Sequence, residues 1–294
     1  MESGDLRVFQ AVANEGSITK AAAKLNYVQS NVTARIQQLE TDLQTVLFYR
    51  HNRGMTLTSS GKSLLTYADK ILGLLEEAAQ AVTSSSEPRG TLAIGSTQTS
   101  AAVRLPKLLA SYHKRYPEVE ITLTTENSIP MEERILRYEV DGAFLAGPVE
   151  HEDLLAIPAF DEEMVIVSDA GVDRLMDAAP KPVLVFAGRC YYRQMMEKWL
   201  KANAWSKLRM MEFGTLEAII GGVEAGLGIS MLARSVVAKK AEEGTLRIHE
   251  LPAPDRRLRT SFVMRKDAFV SRPLQLLLEE LEAARDLNLI SNAS

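Results

Sequence analysis

Ser30 and Ala34, with Thr33 beside them, share a stretch with the amides Gln37 and Gln38 in which, from Val28 onward, Val32, Ile36, Leu39 and Leu43 recur at spacings of four, three and four. At about 100° per residue, that apolar set makes one narrow stripe of an α-helix and leaves the hydroxyl, amide and methyl groups on the opposite face, with Thr33 at its edge. Such groups hydrogen-bond base edges or touch a thymine methyl without filling a major groove. The chemistry they predict is non-covalent reading of duplex DNA. Upstream, Ser17 and Thr19 stand where they can cap a short helix through Ala21, Ala22 and Ala23, whose apolar face Leu25 closes. Asn26-Tyr27 marks a break, so two short helices joined by a tight turn must present the reading face. A helix over residues 5–13, with Leu6, Phe9, Val12 and Ala13 on one side, is expected to pack beneath them. Tyr49-Arg50-His51-Asn52-Arg53-Gly54 is predicted as the turn between a short strand at Leu47-Phe48 and a return strand from Met55 to Thr58. Arg50 and Arg53 can contact phosphate there, and Arg53 at the tip suits a narrow minor groove. The candidate DNA-contacting set is Ser17, Thr19, Gln29, Ser30, Asn31, Thr33, Ala34, Arg35, Gln37, Gln38, Arg50 and Arg53.

A second chemistry is suggested by Ser96-Thr97-Gln98-Thr99-Ser100, a hydroxyl-rich run directly after the apolar strand Thr91–Gly95 and before a helix. Ligands of open α/β sheets bind beyond the carboxyl ends of strands, and hydroxyls beside a helix start suit a carboxylate or other anion. Simple capping of the helix is the alternative. Facing it should be the segment after the strand Val183–Phe186, which reads Ala187-Gly188-Arg189-Cys190-Tyr191-Tyr192-Arg193. Arg189 or Arg193 could pair with an anion, Tyr191 could line the cleft, and Cys190 at a helix start would favour thiolate. As the single cysteine, Cys190 could sense oxidants only through a mixed or intersubunit disulfide or a sulfenic acid; an inert small side chain is the other reading. Ser128 and Phe213 complete a candidate effector set of Ser96, Thr97, Thr99, Ser100, Ser128, Cys190, Tyr191, Arg193 and Phe213.

The 294 residues, 46% hydrophobic and 24% charged, suit a soluble chain of two or three units. The start lacks a basic segment followed by an apolar core, and no run of roughly 18 apolar residues occurs, so a cytoplasmic protein without a membrane partner is expected. His51, His113, His151 and His249 are scattered, and with one cysteine neither a metal nor another cofactor is expected. No glycine-flanked nucleophile, phosphate loop or dinucleotide fingerprint is present, which argues against an enzyme. The net charge of −4 is unevenly divided. Residues 17–62 hold six lysines and arginines against Glu40 and Asp42, and the remainder holds 28 basic against 36 acidic residues. A basic module on an acidic body is the electrostatic footprint of phosphate binding.

Between the modules, Ser59 to Val82 contains no proline and carries a seam of Leu64, Ala68, Ile71, Leu75, Ala78 and Val82, widened by Leu65, Leu72 and Ala79. A long helix is predicted, its seam paired with the same helix of a second subunit or else buried on the chain's own body. Residues 83–90 read as a hinge. Short apolar strands then alternate with helices, an α/β pattern. Strands are expected at Thr91–Gly95, Val119–Thr124, Gly142–Ala146, Met164–Val167, Val183–Phe186, Met210–Phe213 and Ile229–Leu232. Helices are expected at Ala102–Tyr116, Met131–Tyr138, Tyr192–Lys201, Thr215–Ala225 and Val270–Asn288.

The segment Gly16 to Glu40, followed by LFYRHNRGMTLTSSGK, resembles the winged helix-turn-helix of LysR-type transcriptional regulators. The shared positions are Gly16, Ser17, Ala21, Ala22, Gln29, Ser30, Ile36, Leu39, Glu40, Leu47, Phe48, Arg50, Leu57 and Thr58, with a further match at Val223 to Ile229. One departure is Gln44, where family members usually carry glycine. The resemblance implies an α/β fold class with a winged helix-turn-helix head at 1–58, a long linker helix and hinge at 59–88, and an effector domain at 89–294. That domain is expected to be two-lobed like periplasmic binding proteins, with lobe I at about 89–161 and 266–294 and lobe II at about 162–265. The resemblance further implies double-stranded promoter DNA and a small-molecule inducer as partners, antiparallel self-association into a dimer or dimer of dimers, and RNA polymerase as a candidate further partner. A solute-binding protein with an accessory helical domain is the alternative.

Overall fold

The computed structural model describes residues 1–51, 54–82, 88–178, 181–205, 208–252 and 256–286. They form two compact units, one of residues 1–87 with 269–272 and one of 88–268 with 273–294. No described helix is long and apolar enough to cross a membrane.

In the first unit α1 (Ser3–Glu15), α2 (Ile18–Leu25) and α3 (Gln29–Asp42) enclose a core that includes Phe9, Val12, Ala21, Val32, Ile36 and Leu39. Ser17 caps α2 by accepting from the Lys20 amide at 3.4 Å, and Asn26, at φ 55°, turns the chain out of that helix. The stripe of α3 is shorter than its periodicity suggests. Val28 stands outside the helix at 69% exposure and Leu43 is 38% exposed, because the core ends at Leu39. Glu40 anchors the wing to the end of this helix. One carboxylate oxygen accepts from the amides of Leu47 and Phe48 at 2.8 and 3.2 Å, and the other pairs with Arg50 at 3.5 Å. The wing strands β1 (Phe48–His51) and β2 (Gly54–Leu57) run antiparallel, so Tyr49, Arg50 and His51 lie in the strand rather than in the expected turn. Gly54, at φ 132°, is required on a second ground too. A Cβ there would lie 2.4 Å from the Gly16 carbonyl oxygen, against which the wing docks through Met55 N–H.

Gln44 retains a left-handed backbone at φ 50°. The amide of Thr45 bonds the Glu40 carbonyl and that of Gln44 bonds Thr41, the pairing of a Schellman helix end. A side chain here costs about 1 kcal/mol relative to glycine. Gln44→Gly is therefore expected to stabilise the head by that amount, seen as about fivefold slower amide hydrogen exchange in α3; unchanged exchange would mean the turn carries no strain.

Thr58 caps α4 (Ser59–Val82) by accepting from the Gly61 amide at 3.0 Å. The helix divides its apolar seam between two surfaces. Ala68 and Leu72 are buried on the head core with Leu64 and Leu65 beside them, whereas Ile71, Leu74 and Leu75 are 36%, 41% and 43% exposed. Ala79 and Val82 have side chains outside the described set.

The second unit is built on β3 (Gly90–Ser96), β4 (Val119–Thr125), β5 (Gly142–Ala146), β6 (Leu154–Asp169), β7 (Val183–Phe186), β8 (Met210–Phe213), β9 (Ser230–Ala233), β10 (Leu246–Glu250) and β11 (Arg257–Arg265). Its helices are α5 (Gln98–Val103), α6 (Leu105–Arg115), α7 (Ser128–Leu136), α8 (Tyr191–Ala202), α9 (Leu216–Glu224), α10 (Arg234–Glu242) and α11 (Arg272–Asp286). One sheet runs β10-β6-β11-β5-β3-β4, with β9 also on β6 and β7-β8 as a separate parallel pair. The N-terminal half of β6 pairs with β11 in one lobe and its C-terminal half with β9 and β10 in the other, so a single 16-residue strand carries both lobes. The sequence suggests only Met164–Val167 of it, because Leu154–Glu163 contains Pro158 and three carboxylates. Pro158 is accommodated opposite Ser261, beside the register shift at Thr260/Ser261, where the ladder does not need its missing N–H. The helix expected over Ala102–Tyr116 is two helices meeting at Arg104, since Pro106 sits in the first turn of α6 and disfavours continuation. The elements α10, β10 and β11 have no counterpart among the expected ones.

Candidate DNA interface and effector cleft

The face of α3 opposite Val32, Ile36 and Leu39 is exposed at Gln29, Ser30, Asn31, Ala34, Gln37 and Gln38, with Thr33 and Arg35 half-buried at its margins. Local bonds decide which of these side chains are available. The Thr33 hydroxyl donates to the Gln29 carbonyl at 2.9 Å, and Gln38 Nε2 donates to Asp42 at 2.8 Å. Thr19, exposed on α2, donates to Gln29 Oε1 at 3.3 Å. Ser30, Ala34 and Gln37 make no side-chain hydrogen bond among the described residues. Arg35 is engaged within the head. Its guanidinium donates to Asp5 at 2.8 Å and to Asn31 at 3.2 Å, bracing α1 against α3 while the side chain stays 39% exposed. Arg50 is exposed yet leans on Glu40, Lys24 pairs with Glu15, and Arg53 lies outside the described residues. The basic footprint read from composition is thus partly neutralised inside the head.

In the second unit, the carboxyl ends of β3, β4 and β7 converge on a cleft with about 310 Å³ of empty space, part of it open to solvent. Thr97, Gln98, Thr99, Asn127, Ser128 and Ala146 line it from one lobe, and Phe186, Cys190, Tyr191 and Tyr192 from the other. Of the expected set, Thr97, Thr99, Ser128, Cys190 and Tyr191 come together here. Ser96 and Ser100 do not line the cleft: both are buried, Ser96 Oγ donating to the Thr97 carbonyl and Ser100 Oγ accepting from Thr97 Oγ1. Arg193 is turned away, held by Glu212 at 2.6 Å and Glu197 at 2.9 Å. Phe213 packs against the core of its own lobe. Tyr191 lies over Gly147, where a Cβ would stand 2.5 Å from its ring.

Cys190 begins α8 as expected, but its thiol is 6% exposed, and burial pushes its pKa above the ordinary thiol value, outweighing the nearby amides and Arg193. The thiol form is therefore favoured, against the thiolate expected from the helix start alone. Tyr192 is buried, and desolvation raises its phenol well above the usual range, with Thr99 across the cleft opposing that rise. Gln98, Asn127, Ala146, Phe186 and Tyr192 are the lining residues that sequence reasoning misses. Gln98 Nε2 donates to the Gly214 carbonyl at 3.0 Å while its Oε1 accepts from the Leu216 amide at 2.9 Å, and Asn127 Nδ2 donates to the Ala187 carbonyl at 2.7 Å. Gln98 and Asn127 thus bridge the lobes. Asn127 could have been found by the rule that singles out Thr97, since it too follows a strand and precedes a helix.

Beneath the cleft, Arg104 holds Glu162 through two bonds of 2.8 and 3.0 Å, and Ser235 donates to the same carboxylate at 2.9 Å. The pairing raises the guanidinium pKa, chiefly through the hydrogen bonds to Glu162. These residues come from the α5–α6 junction, β6 and α10, so the network ties both lobes to the strand they share. Among the described residues no group of His, Cys, Asp and Glu is arranged to hold a metal ion.

Comparison with known proteins agrees with this layout. Residues 3–62 match the bacterial regulatory helix-turn-helix protein model of the lysR family, and residues 85–286 match the LysR substrate binding domain. The chain is 57% identical over 279 residues to the HTH-type transcriptional regulator YusT of Bacillus subtilis (strain 168), covering 95% of each. It is 47% identical over 279 residues to the HTH-type transcriptional regulator GltR of the same organism, covering 94% of each. Among solved structures, a full-length OxyR variant from Pseudomonas aeruginosa superposes with a TM-score of 0.76 at 22% identity, over 99% of this chain and 96% of that one. Full-length CbnR complexed with its target DNA does so at 0.67 and 22%, over 97% and 100%. With a basic helix-turn-helix head and a two-lobed substrate-binding domain, the chain belongs to the LysR family of DNA-binding transcriptional regulators.

Proposed function

We propose that a small anionic metabolite, a carboxylate in the first instance, sets how this regulator engages promoter DNA by occupying the cleft between Thr97 and Tyr191. One observation carries the reading. The starts of α5, α7 and α8 meet at that cleft, the side chains of Thr97, Asn127 and Cys190 make no cap hydrogen bond there, and no carboxylate lines the walls. Free amides, hydroxyls and a side-chain amide then face one small volume, an environment that stabilises negative charge without a partner cation. The ligand acts only through unequal affinity for two arrangements of the protein, and the Gln98 and Asn127 bridges are the contacts whose making or breaking distinguishes them. The exposed apolar strip of α4, with Tyr67, Ile71, Leu74 and Leu75, is the surface we assign to a second copy, which would set two reading heads on one site in the cytoplasm. The whole is a binding device, with no chemical step assigned to any residue.

The test screens mono- and dicarboxylates and amino acids against the full chain by thermal shift and then by gel shift on duplex DNA. At least one carboxylate is expected to raise the melting temperature and change DNA mobility. In the Thr97→Ala, Ser128→Ala double variant its half-maximal concentration should rise by at least about tenfold, as loss of two charge-assisted hydrogen bonds implies. If only uncharged or cationic ligands shift the protein, the anion reading is wrong.

A further inference from the structure

Val28 is the most exposed large apolar side chain among the described residues, at 69%, and it occupies the N-cap of the reading helix α3. On both counts it is unfavourable to the isolated head. Valine is among the poorest residues at an N-cap, where serine, threonine, aspartate or asparagine would satisfy an amide, and here no side-chain cap bond is made. Its methyl groups contribute nothing to the core, which on α3 begins at Val32. Its neighbours point to what it meets. Gln29 and Ser30 are exposed directly after it, and Thr19 holds Gln29 Oε1, while Gln29 Nε2 makes no hydrogen bond among the described residues.

We infer that Val28 is a specificity-determining residue that reads the 5-methyl group of a thymine in each half-site. The inference rests on α3 being the DNA-reading helix. A valine side chain has no donor or acceptor, so it cannot bind phosphate, and the one apolar group that base pairs display in the major groove is the thymine methyl. The adjacent Gln29 Nε2 is a donor, and the acceptor that thymine presents beside its methyl is O4. Val28 and Gln29 together therefore match both features of one base, or of two consecutive ones. Cap stability is exchanged for discrimination, since a hydroxyl residue at this position would strengthen the helix end but would not select a methyl.

The experiment enriches duplexes from a random pool with the full chain and then replaces each half-site thymine, one at a time, by deoxyuridine, which removes only the methyl. One thymine per half-site is expected at which this change costs the wild type about fourfold in affinity, the value of one buried methyl. Val28→Ser, which supplies the missing cap and so keeps the fold, should bind the thymine and deoxyuridine duplexes equally at that position while retaining any methyl effect elsewhere. Enriched half-sites without thymine, a wild type indifferent to every methyl, or a methyl effect undiminished in Val28→Ser each overturn the assignment. A wild type that enriches no duplex at all instead overturns the DNA-reading role of α3, and the Val28 assignment with it.

Discussion

Ser30→Glu is expected to reduce affinity for an enriched duplex by roughly 30- to 100-fold at moderate salt, a loss of about 2–3 kcal/mol. Ser30 is exposed one residue into α3, makes no side-chain hydrogen bond among the described residues, and lies on the face opposite the Val32, Ile36 and Leu39 stripe. A carboxylate there would enter a groove whose walls are phosphate, and like-charge juxtaposition in a complex costs several kcal/mol. The free protein should be no less stable, because an acidic residue in the first turn of a helix is favoured by the dipole and α3 has none. Gel shift across a salt series, with far-UV circular dichroism as the control, separates the two effects. Unchanged affinity with an intact fold would mean that another face of α3 meets DNA.

Arg104→Met should produce the largest loss of stability, about 3–5 kcal/mol. Glu162 is 5% exposed on its side chain and Arg104 is 11% exposed, so removing the guanidinium leaves a carboxylate in a dry site with Ser235 as its remaining side-chain donor. Glu162→Gln added to Arg104→Met should recover most of the loss, since the cost lies in the uncompensated charge rather than in the missing contact. Trp199 and Trp205, 5.5 Å apart, are the chain's two tryptophans and both lie in the second unit, so urea unfolding followed by their fluorescence reports that unit. A single-variant loss below about 1 kcal/mol would show that the pair is solvated in solution.

The same network shows where sequence reading stops. Arg104 and Glu162 are separated by 58 residues, and nothing in the composition around either marks it as paired. The helix-turn-helix, by contrast, is legible almost residue by residue, because each of its signals is local: Ser17 three residues before the amide it caps, Asn26 at the left-handed exit of α2, and the apolar spacing of α3. Even there, the apolar period starts at Val28 and runs to Leu43 although neither is buried, since periodicity reports phase along a helix but not where the core ends. In the second unit the short βα units are evident from their apolar strands, whereas β6 shows only a fragment of itself. Its proline and carboxylates argue against a strand until the bulge at Ala159, beside Pro158, and the partners of Glu162 and Glu163 are known.

The sequence by itself therefore determined the order and kind of the local elements, the basic head on an acidic body, and the two hydroxyl- and amide-bearing stretches at α3 and at Thr97. These depend on helical and strand periods, capping chemistry and charge, all of which act over a few residues. Tertiary structure alone decided which charged groups remain available. Arg35 is spent on Asp5 and Arg193 on Glu212, Cys190 is kept a thiol by burial, and Gln98 and Asn127 become the bridges of the cleft. An ion pair or a buried environment forms between residues that the fold brings together, and its energy depends on distance and desolvation, neither of which is written in the local sequence.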